Sequence, residues 1–186
     1  MKFAAVLLML SVILVGCGKQ ELQIDRAVAI RDRILKAEGC EFEVEITADY
    51  TDVLYEFTLN CTVDQNGNVS FTVLEPESIS GITGIISHDG GRFTFDDQVL
   101  VFDLLADGQI SPVAAPWVMI NTLRSGYLRS CGKAGSGLKI ELDDSYSEDA
   151  LHLDIWTDEN DIPIRCEILW QGRRYLSLDV KAFNYL

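Results

Sequence analysis

Two apolar rhythms run along the chain, one of period two and one of period near 3.6. Glu41 to Ala48 alternates strictly, with Phe42, Val44, Ile46 and Ala48 on one face and Glu41, Glu43, Glu45 and Thr47 on the other. Val53 to Val63 repeats the rhythm with Val53, Tyr55, Phe57, Leu59, Cys61 and Val63. Such alternation is the mark of a strand with one buried face. A hairpin about Tyr50-Thr51 sets Ala48 opposite Val53, Val44 opposite Phe57, Phe42 opposite Leu59 and Cys40 opposite Cys61. After the turn Asp64-Gln65-Asn66-Gly67-Asn68, Val63 falls opposite Val69, Cys61 opposite Phe71 and Leu59 opposite Val73, so the apolar face is kept.

A further hairpin, Ile82 to Ser87 with Arg92 to Phe95, turns at His88-Asp89-Gly90-Gly91, and a short strand from Val99 to Phe102 follows. In the last third, Leu138, Ile140 and Leu142 oppose Ile155, Leu153 and Leu151, and those oppose Ile164, Cys166 and Ile168. A three-residue turn, Gln171 to Arg173, then sets Ile168 opposite Leu176, Cys166 opposite Leu178 and Ile164 opposite Val180. A slip of one residue there would invert the whole face. The helical rhythm appears twice. Leu22 to Ala37 carries Ile24, Ala27, Val28, Ile34 and Leu35, with Arg31 near the stripe. The second helix starts at Pro116 and carries Trp117, Ile120 and Leu123. Proline is tolerated only in a first helical turn, which places the start.

These elements predict an α+β domain over 22–186, a curved antiparallel sheet of about nine to eleven strands forming an open half-barrel under two or more helices. Phe42, Val44, Phe57, Leu59, Val73, Ile168 and Leu178 line its concave side, and Trp117, Met119 and Ile120 close it. Whether the helices fill that space or leave room for a ligand is not decided by the pattern.

The first sixteen residues lie outside this fold. Lys2 precedes the apolar run Ala4 to Val15, too short for a spanning helix and suited to an export signal. The run ends Leu14-Val15-Gly16-Cys17, which resembles the lipobox of bacterial lipoproteins. That resemblance implies removal of residues 1–16 and diacylation of Cys17, with 17–21 as a short tether and the domain on the extracytoplasmic face of a cell membrane. Two acyl chains give the double anchor that stable attachment needs. The formal net charge of -14 becomes -15 once Lys2 is removed. A body so acidic is repelled by anionic headgroups, so attachment falls to the lipid. The same charge excludes nucleic acid as a partner, which needs a concentrated basic face.

In an oxidising compartment the remaining cysteines, Cys40, Cys61, Cys131 and Cys166, are candidates for disulfides. Cys40 opposite Cys61 predicts that bridge, leaving Cys131 for Cys166. No CxxC or histidine pair suggests a metal. His88 and His152 stand without a nucleophile motif, and GxSxG and HExxH are absent. Asp64 to Asn68 with Glu75 imitates a calcium loop, but Val69 stands where its sharp turn needs Gly. The expectation is a non-enzymatic, monomeric protein without cofactor.

Three features, the helix Leu22 to Ala37, the proline-started helix after Phe102-Asp103-Leu104-Leu105, and the ending Asp154-Ile155-Trp156 through Pro163 to Leu178, resemble the LolA/LolB-like lipoprotein-localisation carrier superfamily. The resemblance implies an unclosed barrel with a helical lid and, in the carriers, a cavity for acyl chains. It points to a lipoprotein that binds an apolar ligand or lipid moiety. The alternative is an envelope or spore-associated interaction module with a packed interior.

Overall fold

The computed structural model describes residues 21–50, 52–95, 98–102, 105–106 and 109–186. Cys17 and the run read as an export signal lie outside them. A helix over 21–36 (α1) is followed by β1 (Gly39–Asp49), β2 (Leu54–Asp64), β3 (Val69–Glu75), β4 (Thr83–Ser87), β5 (Gly90–Phe95), β6 (Gln98–Phe102) and a two-residue hairpin, β7 (Leu105–Ala106) with β8 (Gln109–Ile110). Then come α2 (Ala115–Ser125), β9 (Tyr127–Ala134), β10 (Gly137–Asp143), β11 (His152–Thr157), β12 (Pro163–Trp170) and β13 (Arg173–Tyr185). Eleven strands form one curved, unclosed antiparallel sheet in the order β6-β5-β4-β3-β2-β1-β13-β12-β11-β10-β9. The predicted architecture is therefore the one found.

The centre of the sheet joins the two halves of the chain. β1 pairs with β13 from Cys40 opposite Tyr185 to Ala48 opposite Leu176, so the first strand and the last are neighbours. A single core collects the inward side chains of both halves together with α2 and the Ala27, Ile30 and Ile34 stripe of α1. Eight of the eleven residues of α2 are buried, because the helix sits in the hollow of the sheet. Pro116 lies in its first turn, as predicted.

Three registers differ from the sequence reading, each by two residues. β1 and β2 are joined by a four-residue loop, with Asp49 opposite Leu54, Phe42 opposite Cys61 and Cys40 opposite Val63. Ile140 faces Ile155 and Leu142 faces Leu153. Ile155 in turn faces Cys166, and Leu153 faces Ile168. A two-residue slip leaves every side chain on its own face, so apolar matching alone does not separate the alternatives, and loop length decides. Ile164, predicted to face inward, is exposed.

The last turn is a two-residue one, Gln171-Gly172, both with positive φ. A bulge between Ile168 and Leu169 then restores Ile168 opposite Leu176 and Cys166 opposite Leu178, the pairs predicted for a three-residue turn. The β4–β5 turn is likewise shorter than predicted, with Ser87 opposite Gly90. The sequence reading missed β9, an edge strand in which Cys131 is the one buried residue and alternation gives little signal.

Candidate functional surfaces

Every residue predicted to line the hollow is in or against the common core. Val44, Leu59, Ile168 and Leu178 have no exposed surface, nor do Met119 and Ile120 from the helix that covers them. Phe42, Val73 and Trp117 are buried, and Phe57 is half-buried against the same cluster. Among the described residues, the buried side chains of α2 thus share one core with the concave face of the sheet. Few polar ties hold α2 there. Arg31 donates from Nε to the Leu123 carbonyl (2.8 Å) and from Nη2 to the Gly126 carbonyl (2.6 Å), and Arg124 donates to the Gln65 carbonyl (2.8 Å). Burial lowers the pKa of Arg31 from its usual value.

Cys40, Cys61, Cys131 and Cys166 are all buried and all free thiols. Neither predicted pair stands face to face in the sheet. Cys40 stands opposite Val63 and is only a diagonal neighbour of Cys61. Cys131 and Cys166 lie on β9 and β12 with β10 and β11 between them. Three strand spacings amount to about 14 Å, about twice the Cα separation that a disulfide spans. Burial pushes the Cys40 thiol up to about 12 and raises those of Cys61 and Cys166 further. These sulfurs pack as small apolar groups.

An aromatic surface lies where two hairpins end side by side. The end of the β1–β2 loop and the start of β2 expose Val53, Leu54 (60%) and Tyr55 (51%). Tyr50 stacks edge-on with Tyr55 at 6.2 Å between ring centroids and lies 6.4 Å from Tyr175, which is 6.1 Å from Trp170. The Arg173 guanidinium covers the Tyr175 ring at 4.8 Å and donates to the Asp49 carbonyl at 3.4 Å. Burial, and then the neighbouring Tyr55, push the Tyr50 hydroxyl up to about 12. The four-residue β1–β2 loop creates this surface, since a tighter turn would have no Val53-Leu54 tip. The sequence reading set Val53 opposite Ala48 and Tyr55 opposite Ile46 within the core; in the structure Tyr55 faces Ala48 at the exposed end of that face, and Val53 lies in the loop. The run of aromatic and apolar residues beside the Gln171-Gly172 turn was the available signal.

A charged network covers β10 and β11 on the outer face. His152 Nδ1 lies 2.9 Å from Asp143, and its Nε2 lies 3.3 Å from Asp154. Lys139 bridges Glu141 at 2.9 Å and Asp154 at 3.0 Å, and Ser130 donates to Glu141 at 2.7 Å. Burial alone would lower the Lys139 pKa, but its two carboxylate partners raise it, while the Ser130 hydrogen bond and then Lys139 lower that of Glu141. Glu141, His152 and Asp154 are close enough to share a cation, yet Lys139 already stands between the two carboxylates. The calcium-like loop is a turn, in which Asp64 accepts from the Asn66 and Asn68 backbone amides at 2.8 and 2.9 Å. His88 is exposed in its turn. A groove on the outer face is lined by Glu45, Thr47, Glu56, Thr58, Leu74 and Glu75, too acidic for an acyl chain. No helix of the described residues is long and apolar enough to cross a membrane.

No family model and no curated relative matches the sequence. Solved structures do resemble it. An uncharacterised conserved protein from Thermus thermophilus matches at 14% identity and TM-score 0.49, over 86% of this chain and 87% of its own. The lipoprotein LppX from Mycobacterium tuberculosis matches at 12% identity and TM-score 0.44, over 91% and 97%. A LolA superfamily protein from Nitrosomonas europaea matches at 13% identity and TM-score 0.45, over 85% and 92%. Each of these is a likeness of overall arrangement at 14% identity or less.

Proposed function

We propose that the mature chain is a lipid-anchored extracytoplasmic lipoprotein whose packed half-barrel docks a protein partner through the hairpin-end surface around Tyr55 and Trp170. Diacylated Cys17 supplies the anchor, as the lipobox-like Leu14-Val15-Gly16-Cys17 implies. One observation supports the choice of a protein partner over an acyl chain: α2 is buried in the core of the concave side, while Leu54, Tyr55 and Arg173 are exposed at its rim. Tyr, Trp and Arg are the residues that most often dominate binding energy at protein interfaces, because they bury large area at small entropic cost. The acidic outer face, with Glu41, Glu45 and Glu56 exposed, then favours a partner whose rim is basic.

Carriage of an apolar ligand would require α2 to leave the hollow. Native mass spectrometry of the lipidated chain, together with a photo-crosslinking side chain at Leu54, tests the choice. The expected result is no bound lipid beyond the anchor and a discrete protein adduct at Leu54 that is lost in Tyr55→Ala and Trp170→Ala. A co-purifying lipid that a Val44→Phe substitution expels would overturn the reading in favour of a carrier.

A further inference from the structure

α1 shows two apolar stripes, and the sheet uses one. Ala27, Ile30 and Ile34 are buried, whereas Ile24, Val28 (55%) and Leu35 (50%) are exposed. At 100° per residue, positions 24, 28 and 35 fall within about 40° of one another, and they run for about 16 Å along the helix axis. Arg31 lies on one edge of this stripe and turns its guanidinium away to the Leu123 and Gly126 carbonyls. Glu21, in the first turn, lies on the other edge, so the charges border the stripe and none stands among Ile24, Val28 and Leu35. Asp32, on one flank, is neutralised by Lys36 at 2.7 Å. Immediately after Gly126, the exposed Tyr127 ring packs on Tyr146 at 3.6 Å. Amphipathic rings of this kind favour the headgroup level of a bilayer.

The length of chain ahead of α1 names the occupant. Four residue steps separate Cys17 from Glu21, so even fully extended they hold the start of α1 within about 14 Å of the lipidated sulfur. That distance is close to the thickness of one helix with its side chains. We infer that α1 lies along the bilayer surface with Ile24, Val28 and Leu35 in the interfacial layer, so that the acyl anchor and the helix together fix the orientation of the half-barrel. The inference rests on the lipid-anchor reading of Cys17. The stripe adds to binding through buried apolar area, which offsets the repulsion of an acidic body from the surface.

The test uses the full lipidated chain on vesicles of phosphatidylcholine and phosphatidylglycerol, with and without brominated acyl chains. Flotation of the wild type against Cys17→Ser reads the anchor alone. Val28→Trp reads the stripe, and Leu35→Trp repeats the reading one helical stretch away. Both sites are half exposed, so a ring is tolerated. The expected result is that emission added by Trp at position 28 or 35 is blue-shifted and falls at least twofold with brominated lipid. Trp117, buried in the core, should change little. A chain that floats with unquenched added emission refutes the contact and leaves the anchor intact. A chain that fails to float, or a Cys17→Ser variant that floats equally, refutes the anchor and the inference with it. Added emission that blue-shifts with protein concentration in the absence of vesicles assigns the stripe to a second copy and also overturns the inference.

Discussion

Substitution at two fully buried positions of the concave side distinguishes a filled hollow from an open one. Leu59 has no exposed surface and faces the core shared with Met119 and Ile120. In a filled core, Leu59→Ala removes transfer free energy and leaves a cavity, a loss of about 3 kcal/mol within the usual 2 to 5. Val44, also without exposed surface, has no room for a phenyl ring, so Val44→Phe costs a further 1 to 3 kcal/mol, roughly, through displaced neighbours. With a urea slope of about 2 kcal/mol/M, Leu59→Ala lowers the unfolding midpoint by roughly 1.5 M and Val44→Phe by about 1 M. The assay is urea titration followed by tryptophan fluorescence and circular dichroism, with the slope checked for constancy. An open hollow gives the opposite pair of results. If Leu59→Ala moves the midpoint by less than about 0.3 M and Val44→Phe not at all, the packed interior is refuted.

Four further outcomes are expected. Denatured, unreduced protein should release four reactive thiols from the globular domain, and a peptide map showing Cys40 joined to Cys61 would contradict the free thiols of the structure. Raised thiol pKa values in the folded state mean that the unfolded chain loses its protons first as pH rises. The thiols' contribution to stability is therefore full below about pH 9, and it is lost above that. Between pH 8 and 10, Cys40, Cys61 and Cys166 together should cost about 4 kcal/mol, and Cys166→Ala should flatten that slope by about a third in urea titrations under reducing conditions. Gly137→Ala should lower the unfolding free energy by more than about 2 kcal/mol, because its Cβ would meet the Thr157 and Asp158 carbonyls, while Gly132→Ala, with open space, should stay within about 0.5 kcal/mol. Arg31→Met should lose about 2 kcal/mol in thermal melts by leaving the Leu123 and Gly126 carbonyls without their donor; an unchanged melting temperature would show that α2 is held by packing alone.

The alternating runs from Phe42 to Val73 and from Leu138 to Leu178 were enough to place nearly every core residue of the sheet on its correct side, whereas of the five positions read as the stripe of the first helix only Ala27 and Ile34 are buried, with Ile30 beside them. Hydrophobic periodicity encodes the face on which a residue sits, since burial of one face dominates the free energy of a strand. The same pattern repeats every two residues and so is blind to a slip of two. That blindness moved Cys40 from Val63 to Cys61 in the sequence reading, and with it a disulfide that the register does not offer. It also concealed the Val53-Leu54-Tyr55 tip, which exists only because the β1–β2 loop has four residues. Two other features depend on distant parts of the chain. The pairing of β1 with β13 joins segments more than a hundred residues apart, and local sequence carries no signal for it. The seating of α2 against the concave face likewise depends on contacts between distant segments. Sequence determined which side chains leave water; only the closed set of tertiary contacts decided which of them meet and which apolar surfaces stay uncovered, because loop geometry and long-range packing select among registers that are equal in burial.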